Sequence, residues 1–231
     1  KDIVTAGGVD IDLSDYAFSF MSMKEGHISG VPARIFRISF TGELSYEINV
    51  PARYGAALWT ALMKAGAPHG ITPYGTEAMH VLRGEKGFII VGQETDGTVT
   101  PHDLGMSWIV SSKKDDFIGK RALERASMAD PQRKQLVGLL TEDPKQVIPE
   151  GAHAVLDPDQ PAPMEMLGHV TSSYYSPNLG HSVAMALLKG GHNRSGETVY
   201  IPMLDGQPPI KARITETSFY DPQGDRLNGA D

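Results

Sequence analysis

Beyond residue 130 the chain changes character: short runs able to form strands follow one another closely, with Gly and Pro between them and few helical periods. The candidate strands are 135–140, 152–156, 168–172, 182–188, 198–203 and 210–217, and Asp205-Gly206 is a hairpin signal between the last two. Strands at this density read as a small antiparallel barrel or sandwich, and the barrel is the expectation for 131–231.

Upstream the pattern is mixed. Residues 33–40 read as a strand with Phe36, Ile38 and Phe40 on one face, Thr41-Gly42-Glu43 as a turn, and 44–50 as a second strand. There Tyr46, Ile48 and Val50 alternate with Ser45, Glu47 and Asn49. Pro51 opens a helix with Leu58, Ala61, Leu62 and Ala65 in one stripe, and Gly66 closes it. Thr72-Pro73 is the expected start of a second helix reaching Arg83, and 116–126 the expected third. The fold class is therefore α+β: an incomplete α+β subdomain over 1–130, its sheet covered on one face by helices, then the barrel.

A chain of 231 residues, 40% hydrophobic and 21% charged, can bury a core. The net charge of -7 argues against nucleic acid or an anionic membrane as main partner. No cysteine is present, which excludes disulfides, thiolate metal sites and cysteine nucleophiles and is compatible with a cytoplasmic setting. No apolar run is long enough to span a bilayer. The abrupt start at Lys1 fits an excised fragment or a trimmed chain.

The common catalytic signatures do not occur: no dinucleotide fingerprint after a strand, no phosphate loop, no nucleophile elbow and no helical His pair for zinc. Asp115-Asp116 and Asp157/Asp159 read as solvated loop charges. Glu47 has two readings. It is either a solvent-facing strand carboxylate or one aimed into a pocket, where it accepts two N–H bonds from a planar amidine-like edge. Periodicity does not choose between them.

The run Arg37-Ile38-Ser39-Phe40-Thr41-Gly42-Glu43-Leu44-Ser45-Tyr46-Glu47 resembles the signature hairpin of the aminomethyltransferase family, the glycine-cleavage T-proteins and their relatives. Leu82-Arg83-Gly84-Glu85-Lys86-Gly87, Gly92-Gln93-Glu94-Thr95-Asp96, Gly105-Met106-Ser107-Trp108, Asp116-Phe117-Ile118-Gly119-Lys120 and Gly168-His169-Val170-Thr171-Ser172 continue the resemblance in order. Finer features, among them Tyr74-Gly75-Thr76-Glu77-Ala78-Met79-His80 and Phe219-Tyr220-Asp221-Pro222, are similar to the alpha subunits of heterotetrameric sarcosine oxidases.

The resemblance implies a folate-handling module in which tetrahydrofolate captures a one-carbon unit released by amine oxidation. Glu47 matches the family's pterin-anchoring glutamate. Phe40 and Tyr46 match aromatic wall positions, and Trp108 and Tyr175 fall near the same cleft; core packing is an equal reading for these four. Arg83 is a candidate for the folate tail or for a structural ion pair with Glu85 or Glu77. No arginine occurs in Gly75-Thr76-Glu77-Ala78-Met79-His80, where T-proteins carry one. The family's catalytic aspartate has no match in 1–30, so no catalytic residue is assigned. FAD, FMN and NAD are expected only in other parts of such a complex. Its implied partners are an upstream part of the same subunit and the other oxidase subunits. The runner-up functions are a glycine-cleavage aminomethyltransferase and a non-catalytic module that binds folate or docks a subunit.

Overall fold

The computed structural model describes residues 8–204 and 206–229. Asp205 of the hairpin signal lies outside the described residues. The chain forms two compact units: 1–79 with 223–231, and 80–222. The composition change points to a division near residue 130; by packing, the chain groups into units that part within a helix, for a reason that lies in the second unit.

In the first unit β1 (Ser22–Ile28), β2 (Val31–Arg37) and β3 (Glu47–Asn49) form an antiparallel sheet in that order. A two-residue turn joins β1 to β2, since Ile28 pairs with Val31 across Ser29 (φ 48°) and Gly30 (φ 78°). Two successive positive φ values define the turn whose twist suits a hairpin, and Gly takes the second at no steric cost. One face of the sheet carries Ile28, Ala33 and Ile35, which pack with Leu13 and Phe18; Tyr46, Ile48 and Leu58 complete that core. Leu58 comes from α1 (Gly55–Gly66), which follows Pro51 and a short 3-10 turn and ends at Gly66 as the sequence predicts. The buried face of β2 is thus the alternate set, Ala33, Ile35 and Arg37. Arg37 is 2% exposed, donates to the Phe18 carbonyl at 2.6 Å and pairs with Asp15 at 3.0 Å. A charge on the inner face breaks the apolar alternation that periodicity relies on.

The expected second helix starts later, as α2 (Thr76–Lys86). Thr72 turns its hydroxyl back to the Gly70 carbonyl instead of capping. The expected helix over 116–126 shrinks to α3 (Lys120–Leu123), because Gly119 before it has φ 102°, where a right-handed helix cannot continue.

In the second unit β4 (Lys134–Thr141), β5 (His153–Ala154), β6 (Gly168–Ser176), β7 (His181–Lys189), β8 (Thr198–Ile201) and β9 (Ile210–Thr215) form one antiparallel sheet, ordered β5-β6-β7-β4-β9-β8. Every candidate strand beyond residue 130 is present. The edge strands meet where Val155 and Tyr200 exchange two backbone hydrogen bonds of 2.9 Å, so the sheet curls into a barrel. Leu139, Ala186, Leu188, Val199, Ile201, Ala212 and Ile214 fill it.

The outer face of the barrel is apolar too. Leu136, Met185 and Leu187 pack there against Ile89, Val99, Leu104 and Phe219. This explains the division: the stretch after α2 is the barrel's cover. A polar latch reinforces it. Asp103 is 2% exposed and accepts from the Thr100 N–H at 2.8 Å and from Arg133 at 2.8–3.1 Å. Burial pushes the Asp103 carboxyl up, but the bonds from Arg133 and Thr100 outweigh it and hold the group below the ordinary carboxylate value. A depressed native value makes its contribution complete above the unfolded value, about 3.9, and lost as the pH falls through the lower native one. Asp103→Asn is therefore expected to lower stability by about 1.5–3 kcal/mol at neutral pH, with the difference from the parent vanishing below the carboxylate range. Thermal melts of both proteins between neutral and acid pH check this; a gap of constant size across the range would refute it.

Candidate functional site

In the first unit the sheet has an inner and an outer face. The register places Met23 opposite Phe36 and Phe36 opposite Glu47, so one row crosses all three strands on the outer face. Met23 is 45% exposed, Phe36 half-buried and Glu47 exposed. The Glu47 carboxylate makes no hydrogen bond or ion pair with any described residue. A carboxylate with free lone pairs thus stands at the end of an apolar strip, able to take donors from a flat polar edge while the strip meets the ring. Met23 escaped the sequence reading because β1, Ser-Met-Lys-Glu-Gly-His-Ile, alternates without a consistent apolar set; the pair Ser29-Gly30 is the one local signal that could have revealed the hairpin.

Two neighbouring candidates divide. Tyr46 packs with the inner core, its ring 6.0 Å from that of Phe18. Phe40 lies beyond β2 and is 39% exposed, free to meet a ligand. The 38–46 segment between β2 and β3 is pinned by the Leu44 N–H to the Arg226 carbonyl and by the ion pair of Arg226 with Glu43 at 3.1 Å.

The second unit holds the other three. Trp108 is 79% exposed on a 3-10 turn and Tyr175 is 41% exposed near the end of β6. Arg83 is wholly enclosed. Its guanidinium pairs with Glu94 at 3.0 Å and donates to the Phe88 carbonyl, to the Ser172 hydroxyl at 2.6 Å and to the Tyr174 hydroxyl at 3.0 Å. Its ion-pair partner is therefore Glu94, not Glu85 or Glu77. Glu94 also accepts from the Ile90 N–H at 2.7 Å and from Ser172. At 0% exposure, with these partners filled, Arg83 presents no surface to a folate tail. Glu94 was legible only as part of a motif, since nothing local marks a carboxylate that meets its arginine across a loop.

The second unit also carries an open cavity of about 600 Å³, bordered by Leu140, Leu179, His181, Arg213, Ile214 and Phe219. None of the candidate residues lines it. Among the described residues no helix is long and apolar enough to cross a membrane.

The hairpin carboxylate and the six-stranded barrel define a class. The GCVT N-terminal domain matches residues 1–114 and the glycine cleavage T-protein C-terminal barrel domain matches 134–221; the chain belongs to this family. More particularly, it is 47% identical over 234 residues to the sarcosine oxidase alpha subunit of Corynebacterium sp. (strain P-1), and 44% identical over 230 residues to that of Rhizobium meliloti (strain 1021). These matches cover 99% and 95% of the chain but 24% and 22% of the relatives, so it spans about a quarter of their length. The glycine cleavage aminomethyltransferase T of Bartonella henselae shares the fold, with a TM-score of 0.77 at 24% identity, over 95% of this chain and 56% of that one.

Proposed function

We propose that this chain is the folate-binding, one-carbon-transfer portion of a sarcosine oxidase alpha subunit. The complete enzyme would convert sarcosine to glycine, and the carbon removed would pass to tetrahydrofolate. The observation that supports this most is the unpaired Glu47 carboxylate beside Phe36 and Met23, in a chain nearly half identical to such subunits. Tetrahydrofolate, when bound, supplies a nucleophilic nitrogen for the one-carbon unit. Glu47 would accept from the pterin's amino edge, with Phe40 of the same unit offering a ring face. Trp108 and Tyr175, both exposed in the second unit, are candidates from the resemblance alone. Tyr46 would act from the core side by fixing the strand that carries Glu47, and Arg83 by fixing the barrel. FAD, FMN and NAD would belong to other parts of the complex, since no dinucleotide fingerprint occurs here. The remaining part of the alpha subunit and its sister subunits would be the partners, and the cytoplasm the setting.

The test is Glu47→Gln in the full-length oxidase. Glutamine keeps the shape but turns an acceptor into a donor facing donors, a loss of about 1.5–3 kcal/mol for a charge-assisted bond. Tetrahydrofolate affinity is expected to fall at least about tenfold while the rate of peroxide formation from sarcosine changes little. Equal folate affinity in mutant and parent would refute the assignment.

A further inference from the structure

The cavity of about 600 Å³ in the second unit opens on the outer face of the barrel. Strand β9 turns Ala212 and Ile214 inward, so Arg213 between them stands outward, opposite Leu140 of β4 and Thr198 of β8. Leu140 and Phe219 give the cavity apolar walls. Phe219 packs on the same outer face as Leu136, Met185 and Leu187, and Gly138 makes room for it: a Cβ there would come within 2.8 Å of the ring. Its N–H donates to the Glu85 carbonyl at 2.9 Å. Leu179 borders another side, its N–H held by the Ser176 hydroxyl at 3.0 Å. These walls are set by the fold, and their volume is that of a small-molecule site.

Two opposite charges border this cavity without neutralising one another. Arg213 and Glu216 are both exposed, and both line it. Neither the Arg213 guanidinium nor the Glu216 carboxylate makes a hydrogen bond or ion pair with any described residue. Nearby charges of the barrel do pair: Lys211 meets Glu142 at 3.0 Å, and Arg194 meets Glu197, at the same sequence spacing as Arg213 and Glu216, at 2.8 Å. His181 adds a third polar group. Its Nδ1 lies 2.8 Å from the Ser182 carbonyl, which only accepts, so Nδ1 carries the hydrogen and the neutral ring keeps Nε2 as an acceptor.

A simple carboxylic acid would meet Arg213 favourably and Glu216 unfavourably, and a simple amine the reverse. A small molecule carrying one charge of each sign on an apolar body meets both favourably. We infer that this cavity is a binding site for an aliphatic α-amino acid in its zwitterionic form. Arg213 donates to the carboxylate, Glu216 and His181 Nε2 accept from the ammonium group, and the side chain lies on Leu140, Leu179 and Phe219. The site is built by the second unit alone and does not rest on the folate reading.

The experiment is equilibrium dialysis on the full-length oxidase with three probes: L-leucine, 4-methylpentanoate, which lacks the ammonium group, and isoamylamine, which lacks the carboxylate. Leucine is expected to bind saturably, and each analogue about tenfold more weakly, the effect of one charge-assisted hydrogen bond. Arg213→Ala weakens leucine about tenfold and does not weaken isoamylamine; Glu216→Ala weakens leucine about tenfold and does not weaken 4-methylpentanoate. Both side chains are exposed and unpaired, so neither replacement strands a buried partner. The sarcosine-dependent peroxide rate stays at the parent value in both variants. Absence of saturable leucine binding overturns the inference, as does 4-methylpentanoate binding as tightly as leucine. Leucine bound equally by the parent and both variants would belong to the amine site of the oxidase and overturns it too.

Discussion

Replacing Glu94 by Ala is expected to cost the barrel unit about 3–5 kcal/mol, the penalty for stranding one member of a buried ion pair. Arg83 and Glu94 are both wholly enclosed, and their attraction offsets the desolvation of two charges only because every neighbour contributes. Glu94 accepts from Arg83, Ser172 and the Ile90 N–H; without it, all three donors lose a partner in a dry interior. For this reason an apolar pair at 83 and 94 does not restore the parent. The Tyr174 and Ser172 hydroxyls, the Phe88 carbonyl and the Ile90 N–H stay orphaned, each costing about 1–3 kcal/mol. Hydrogen exchange on peptides from β6 and β7 reads the effect. Protection should fall more than about a hundredfold in Glu94→Ala, at 1.4 kcal/mol per factor of ten. Unchanged protection would show that the network contributes nothing net.

The 231 residues by themselves are expected to form no peroxide from sarcosine and to bind tetrahydrofolate only weakly. Amine oxidation needs an electron acceptor, and this sequence offers no nucleotide-binding fingerprint to hold one. One-carbon transfer needs a base or electrostatic partner beside the attacking nitrogen, and the family's aspartate has no match in residues 1–30. Folate would meet one wall of its cleft while still losing its translational freedom, which puts affinity in the high micromolar range on the order of 10⁻⁴ M. Peroxide above a no-protein control, or submicromolar folate binding by the isolated chain, would show that the other three quarters of the relatives' length are not needed.

The barrel was the most legible part. Its strands β4, β7 and β9 fill a closed interior, so the inner face of each is apolar through its middle: Val137 and Leu139, Ala184 and Ala186, and Ile210, Ala212 and Ile214, with Gln135, Thr141 and Ser182 only near strand ends. Strand β1 was not legible, since its inner face is Ser22, Lys24, Gly26 and Ile28, and one apolar residue in four carries no period. The 116–126 helix was over-read because propensity favours it, while Gly119 exercises its left-handed option. In the candidate site Glu47 came from resemblance, and alternation set it only on the face opposite Tyr46 and Ile48. Met23 and Glu94 depend on pairings that periodicity does not read: Met23 faces Phe36 across a hairpin, and Glu94 meets Arg83 across a loop and Ser172 from 78 positions away.

The short tail after residue 222 has a consequence for how the chain comes to be made. The first unit is not continuous: residues 223–229 return to it, with Arg226 on Glu43 and Leu44, and Leu227 on Arg37. The partners Glu43 and Arg226 are 183 positions apart. At synthesis rates of about 5–20 residues per second, the hairpin that carries Glu47 waits on the order of ten to forty seconds for its last anchors. The barrel, whose strands all precede residue 222, has every partner it needs sooner. The barrel strands are therefore complete before the earlier hairpin is, and a chain cut between residues 222 and 226 would keep every one of them while losing the anchors of the hairpin that carries Glu47.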